Sequence, residues 1–485
     1  MKNSDSKKRG TVHNGLLTGV STVAVSGSAA VLGVILSRKF GHGVKTDGFF
    51  AAYGFYLALI LVAGTLRVVA LPRFAAARAE GRLGQEVGGW AAALALPLLV
   101  VLASVLSWPR EIAGIVASNE AARAEAASLL PWVVVSAVAQ IYGSLIASAL
   151  AALDDYKSAA FGFAVGSIGG VAATIALLSH GLISLGWGLA VNGVVSLLVP
   201  LVPFLRSRSL RVPDGRVLAR LSELAEAVSI PLALQGLYVI GLRFASGLGT
   251  GESTTFSYAY LIAAFFVSIT AASLALVMTV PFVREGMTPE RVGRYVVSVS
   301  WVSLVTVAPA AAFFACTGGE LVHRVLGGSY AGGTSAEIGR LVVYFAPWMV
   351  IAVASTVTFP LVFAGRRRRW LPALAALALA ADVLVEVAAR AAFGLAGVAA
   401  GMALTSAFVL AGLLVALGSL VSVARGLASA AAVSCVIAVV AFGLPRLLVG
   451  SLASGVIGVG LYVAAIVALR PAGLRRAWSY VHALG

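Results

Sequence analysis

The sequence predicts an all-α polytopic membrane protein, and three observations carry that prediction. Sixty per cent of the 485 residues are hydrophobic and only 11% are charged, a composition far more apolar than water-exposed domains carry. The apolar residues fall into fourteen stretches, each long enough to cross a bilayer. The Lys and Arg residues lie overwhelmingly in every second gap between those stretches.

A helix needs about 20 apolar residues to span about 30 Å of hydrocarbon. The first three stretches, Val12 to Ser37, Phe49 to Leu71 and Trp90 to Trp108, meet that length. Later ones run over 127–151, 159–179, 184–205, 228–247, 255–282, 295–316, 338–364, 370–392, 394–420, 426–448 and 450–469. Lys2, Lys7, Lys8 and Arg9 precede a first span longer than a signal-peptide core and without a convincing cleavage site, so this span is expected to stay in the mature chain. Cys316 and Cys435 show neither metal-ligand nor disulfide spacing.

Charge sets the expected topology. One side collects 24 of the 35 basic residues, in the N-terminal tail, Arg73/Arg78/Arg82, Lys157, the run Arg206 to Arg220, Arg284/Arg291/Arg294, Arg366 to Arg369, Arg425 and Arg470/Arg475/Arg476. The other side holds nine, and Arg67 and Arg243 lie inside spans. The basic side is expected to be cytoplasmic, with both termini there. A net charge of +16 then reflects loops beside anionic lipid, Arg366, Arg367, Arg368 and Arg369 above all, and no nucleic-acid partner.

An internal repeat is also legible. Pro72 and Pro281 close the second and eighth spans; Pro131-Trp132 and Pro347-Trp348 enter the fourth and tenth; Lys157 matches Arg369, and Gly188 matches Gly397. The offsets are nearly constant. Six spans per copy preserve orientation, which predicts two pseudo-twofold six-helix lobes about an axis along the membrane normal. The expected division is 1–226 for the N-lobe and its linker, 227–420 for the C-lobe, and 421–485 for two added C-terminal helices. Gly162/Gly166/Gly170 and Gly450/Ser454/Gly458 form small-residue ridges suited to close helix contact.

Asp382, Glu386 and Arg390 recur every fourth residue of the eleventh span and share one helical face. A carboxylate near mid-membrane costs about 2.5–3.5 kcal/mol on the insertion scale, so these side chains need partners or a wet cavity. One reading pairs Glu386 with Arg390 and hydrogen-bonds Asp382 to a neighbouring helix. The other makes them a Na⁺ or H⁺ coupling site with Thr405 and Ser406. Pro231, Pro309, Pro347 and Pro360 are expected to kink their spans, and Asp47 is expected to cap the second helix.

The segment Phe40-Gly41-His42-Gly43 followed by Thr46-Asp47-Gly48-Phe49-Phe50 resembles the first helix-to-helix connection of the lipid II flippase family in the multidrug/oligosaccharidyl-lipid/polysaccharide exporter superfamily. Val322 to Tyr330 resembles the connection before the tenth helix of polysaccharide-exporting members, and Tyr258-Ala259 with Pro281 and Arg284 resembles the family's eighth helix. The resemblance implies an alternating-access flippase moving a polyprenyl-diphosphate-linked saccharide between leaflets, with no cofactor beyond Na⁺ or H⁺ coupling. It brings Gln235 of the seventh span toward the coupling set. It also makes Arg67 a candidate partner for a diphosphate, with Arg38, Lys39, Lys45 and Arg243 as further cationic candidates; snorkelling and plain loop charge are the alternatives. Where lipid II flippases carry charged pairs in the second and eighth helices, this chain has Ile60-Leu61, Leu261 and Ala264, which points to another lipid-linked glycan.

No phosphate-binding Gly-x-x-x-x-Gly-Lys-Ser/Thr loop and no credible catalytic triad occurs in the chain, so a transporter is expected rather than an enzyme. A cation-coupled small-molecule exporter of the same superfamily and a non-transporting scaffold for glycan synthases are the alternatives.

Overall fold

The computed structural model describes residues 24–207, 211, 215–285, 288–364, 368–471 and 473–475, with side chains described except at 269–285, 364 and 368. Among the described residues the regular structure is entirely helical: α1 (24–40), α2 (Val44–Ala79), α3 (Leu83–Ser107), the short α4 (Pro109–Val116), α5 (Glu120–Ala152), α6 (Tyr156–Ala176), α7 (Ile183–Ser207), α8 (Val217–Ser246), α9 (Glu252–Glu285), α10 (Pro289–Leu326), α11 (Gly333–Tyr344), α12 (Ala346–Ala364), α13 (Leu371–Ala416), α14 (Leu420–Arg446) and α15 (Ser451–Leu469). Eleven of these are long and apolar enough to cross a membrane.

Caps fix the helix starts. Asn119 Oδ1 accepts from the Ala121 amide at 2.9 Å, Asp155 Oδ1 from Ser158 at 3.1 Å and Thr288 Oγ1 from Arg291 at 3.4 Å, each satisfying a donor the helix itself cannot. At α2 the structure corrects the sequence reading. Gly43 occupies the cap position and Thr46 Oγ1 closes the box, accepting from the Gly43 amide at 3.0 Å and donating to the Gly43 carbonyl at 2.8 Å. Asp47 lies inside the first turn.

One expected span is interrupted, and two others meet end to end. The stretch 338–364 divides into α11 and α12 around Phe345, two residues before Pro347, which lacks an amide donor and favours a break or kink in the preceding turn. The stretches 370–392 and 394–420 meet at Gly394, with φ 58° and ψ −133°, a conformation open only to glycine. A Cβ on Gly401 would lie 2.8 Å from Glu386 Oε1. In an unbroken helix those positions would be about 22 Å apart along the axis, so the chain reverses here and α13 is two antiparallel halves.

The chain forms two compact units, residues 1–239 and 240–485, and the seam falls inside α8. In the first unit α5 is the central helix, with 83% of its most apolar window buried. It packs along α2, α3 and α7, and α6 packs along α7. Small residues permit that approach: a Cβ on Gly193 would lie 2.5 Å from the Ser136 carbonyl oxygen, and one on Gly143 3.1 Å from that of Ser196. In the second unit α10 is the hub, contacting α9, α11, α12, α14 and α15. Val292, Tyr295, Val296 and Val299 of α10 pack with Val353, Val357 and Leu361 of α12, Leu410 and Leu414 of α13 and Val423 of α14. Phe442 of α14 and Tyr462 and Ile466 of α15 pack against Ala308. The outward faces are apolar, as in Leu96, Leu99, Leu384 and Val439, exposed by 68, 61, 74 and 71%, the distribution a hydrocarbon solvent favours.

Candidate functional site

The reversal in α13 builds the first site. Asp382 and Glu386 are both 0% exposed, while Val383, Leu384 and Val387 on the opposite side of the same half-helix are exposed by 42, 74 and 57%. The acids therefore face inward, against the returning half. Gly401 makes the space for Glu386, since any side chain there would meet the carboxylate. Thr405, one turn beyond Gly401, falls opposite Asp382, one turn before Glu386, and no hydrogen bond joins the two. Both carboxylates and the Thr405 and Ser406 hydroxyls are buried without a hydrogen-bond partner among the described residues. Four orphaned oxygen-bearing side chains on one hairpin form a strained electrostatic site. A proton or a hard cation with oxygen preference would relieve it. Among the described residues no three His, Cys, Asp or Glu side chains gather into a metal-type cluster.

Glu386 does not pair with Arg390. The Arg390 guanidinium donates from Nη2 to the Gly247 carbonyl at 2.8 Å, leaving the acid uncompensated. The simplest structural explanation offered by the sequence is thereby removed.

The second site belongs to the first unit. Ser136, Gln140, Ser144 and Ser148 recur every fourth residue along α5 and are all buried. Ser144 Oγ donates to the Ala63 carbonyl of α2 at 2.6 Å, and Gln140 Nε2 donates to the Tyr56 hydroxyl at 2.7 Å. At this stripe stands Arg67 of α2, whose Nε donates to Ser144 Oγ at 3.3 Å and whose guanidinium lies over the Phe163 ring at 5.2 Å. Arg67 is exposed and has no carboxylate partner among the described residues. The stripe went unread in the sequence, although four polar residues at four-residue spacing in an apolar span is a readable signal.

The remaining candidates disperse. Arg38 and Lys39 are exposed at the end of α1, Lys45 is exposed in the first turn of α2, and Arg243 is exposed in the last turn of α8. Gln235 is buried on α8, in the first compact unit, whereas the acids lie in the second. In the basic run, Arg366 and Arg367 lie outside the described residues and Arg369 is exposed.

A third cluster is structural. Arg220 of α8 is 1% exposed and donates from Nη2 to Glu86 Oε2 at 2.6 Å, while Trp90 Nε1 donates to Glu86 Oε1 at 3.1 Å. Gly89 leaves room for the guanidinium, which a Cβ there would meet at 2.5 Å. Arg73 pairs with Glu223, and Arg78 with Asp154 at 2.6 Å. These pairs gather the ends of α2 and α5 and the starts of α3 and α8 at one end of the unit, the end whose loops carry the excess of basic residues.

No family model matches the chain, and no curated protein does. Solved structures do. The lipid II flippase MurJ in an inward closed conformation aligns with a TM-score of 0.73 at 12% identity, over 94% of this chain and 99% of that one. A multidrug resistance MATE family transporter of the MOP superfamily, inward-facing, aligns with a TM-score of 0.59 at 14% identity, over 86% of this chain and 95% of that one. A MOP superfamily transporter from Pyrococcus furiosus gives 0.51 at 14% identity, over 88% and 93%. The chain thus has the fold of MOP superfamily transporters and is a multi-pass, all-helical membrane protein.

Proposed function

We propose that this chain is an alternating-access flippase that moves a polyprenyl-diphosphate-linked saccharide from the inner to the outer leaflet of a bacterial cytoplasmic membrane. The observation that carries the reading is Arg67: a guanidinium within a span, held against Ser144 and Phe163 with no carboxylate to neutralise it among the described residues. A charge so placed is costly, and an anionic ligand would neutralise it. A guanidinium fork matches a diphosphate in charge and geometry, and the polar stripe of α5 adds hydroxyl and amide groups suited to sugar. Likeness in fold to a lipid II flippase over 94% of the chain supports the same reading. Asp382, Glu386 and Thr405 would couple the cycle to Na⁺ or H⁺, and both termini would lie in the cytoplasm. Exposed Arg369 and its neighbours would meet anionic headgroups, and glycan synthases would be the partners supplying or consuming the substrate.

Reconstitution in liposomes with polyprenyl-diphosphate glycans, scored by leaflet exchange, tests this. The expected result is exchange that falls at least tenfold in Arg67→Gln while thermal stability is kept. Exchange unaffected by that substitution would overturn the role of Arg67.

A cation-coupled exporter of small molecules is the second reading, and the orphaned acids of α13 favour it, since an acidic pocket suits a cationic cargo. Cation efflux lost in Asp382→Asn, without any lipid exchange in the unsubstituted protein, would select it.

A further inference from the structure

We infer that the second unit carries a binding site for one anionic glycerophospholipid, in a groove between the first turns of α10 and α14. The groove has a volume of about 1460 Å³ and is bounded by α10, the end of α13, the start of α14 and Gly473, larger than the roughly 300–1,000 Å³ of ordinary small-molecule sites. Its wall is mostly apolar, with Val297 and Trp301 from α10, Val415 from α13 and Val421 from α14, interrupted by Ser298, Ser422 and Ser429. Its rim is basic. Arg294 and Arg425 both line it and both are exposed, and neither makes a hydrogen bond or ion pair among the described residues. Glu290 is the only carboxylate among the described lining residues, so the rim keeps net positive charge.

The start of α14 adds to that field. Its first intrahelical bond runs from the Val423 amide to the Ser419 carbonyl, so the amides of Leu420, Val421 and Ser422 have no acceptor within the helix. Ser419, at the cap position, makes no side-chain cap. An uncapped helix start favours an anion. All these groups lie at the end of the unit that also carries Arg291, Arg470 and Arg475, where a lipid headgroup sits beside acyl chains. An apolar trough opening beneath two unpaired guanidinium groups therefore matches one ligand chemistry, a phosphate headgroup carrying hydrocarbon chains. The glycines at the seam keep the two helices together at its floor: a Cβ on Gly426 would run into Val297, and one on Gly293 would lie 2.8 Å from Ser422 Oγ.

This site is separate from the Arg67 reading, and its test measures binding and not transport. The full chain in phosphatidylcholine nanodiscs is titrated with phosphatidylglycerol and the retained lipid counted by native mass spectrometry. One phosphatidylglycerol per chain is expected to be held at least tenfold more tightly than phosphatidylcholine. Arg294→Gln with Arg425→Gln should abolish that preference without lowering Tm, and Arg110→Gln, at an exposed position of the first unit, should leave it intact. Val421→Trp, which fills the trough and spares the charges, should reduce retention as well. Equal retention of both lipids, or a preference unchanged by the arginine or the tryptophan substitutions, overturns the site. Competition by millimolar inorganic phosphate as strong as that by lipid would make it a free-anion site and overturn the lipid assignment. Binding seen only after deletion of residues 476–485 would give the groove to the chain's own C-terminus and overturn it equally.

Discussion

The α6–α7 pair of the first unit and the two halves of α13 in the second are the same construction carrying different chemistry. In the first pair the contacts step four residues along one helix for four back along the other: Gly162 meets Pro200, Gly166 meets Ser196, Gly170 meets Asn192, and Gly188 meets Thr174. In α13, Glu386 meets Gly401 and Asp382 falls opposite Thr405, with the same antiparallel step. Aligning the two turns at their positive-φ glycines, Gly181 and Gly394, sets Gly188 against Gly401, and the contacts of these two then set Thr174 against Glu386 and Gly170 against Asp382. In the first unit the polar groups close on themselves, as Thr174 donates to the Gly170 carbonyl at 3.0 Å and Ser196 to Asn192 Oδ1 at 3.2 Å. A hydroxyl can bond back onto its own helix. An ionised carboxylate only accepts, and on a helix whose carbonyls also only accept it finds nothing. The difference teaches that a seam built for close packing becomes a site when acceptors without donors are put into it.

The comparison breaks hardest where buried charge is compensated. Arg220→Ala strands Glu86 at the end of the first unit and should cost about 3–5 kcal/mol, read as a large drop in Tm in detergent. The glycine seams come next. Gly188→Ala drives a methyl into the Gly170 carbonyl, 2.7 Å from the new Cβ, and should cost about 1–3 kcal/mol as overpacking. Gly401→Ala meets only the end of the Glu386 side chain and should cost less than Gly188→Ala; the reverse order in thermal melts would dissolve the equivalence of the seams. Asp382→Asn with Glu386→Gln should leave Tm unchanged or raised by up to about 1 kcal/mol equivalent, because uncompensated buried charge is removed, and should abolish any ion dependence of transport. The smallest effect belongs to Thr405→Val, which deletes a hydroxyl that has no hydrogen bond. Stability should stay within about 1 kcal/mol, while cation affinity, read by isothermal titration, falls.

Legibility followed the range of the interaction involved. Asp382 and Glu386 were readable because a carboxylate in an apolar run is conspicuous by its cost, and their shared face follows from helical spacing alone. Their lack of a partner was not readable, since Arg390 stands four residues from Glu386 and turns instead to Gly247. The stripe Ser136 to Ser148 was present in the spacing but gained meaning only when Tyr56, Ala63 and Arg67 of α2 came alongside. Arg220 read as one member of a basic linker, and only the fold buries it against Glu86 and Trp90.

Fold class, the membrane as solvent and the placing of two acids on one helical face were determined by the chain's own order of residues, because hydropathy and helical periodicity act over a few turns. The reversal at Gly394, the pairing of Arg220 and the isolation of Asp382 and Glu386 were decided by tertiary structure. Each depends on which side chains, distant in sequence, arrive within about 3 Å to donate a hydrogen bond, and no local spacing encodes that.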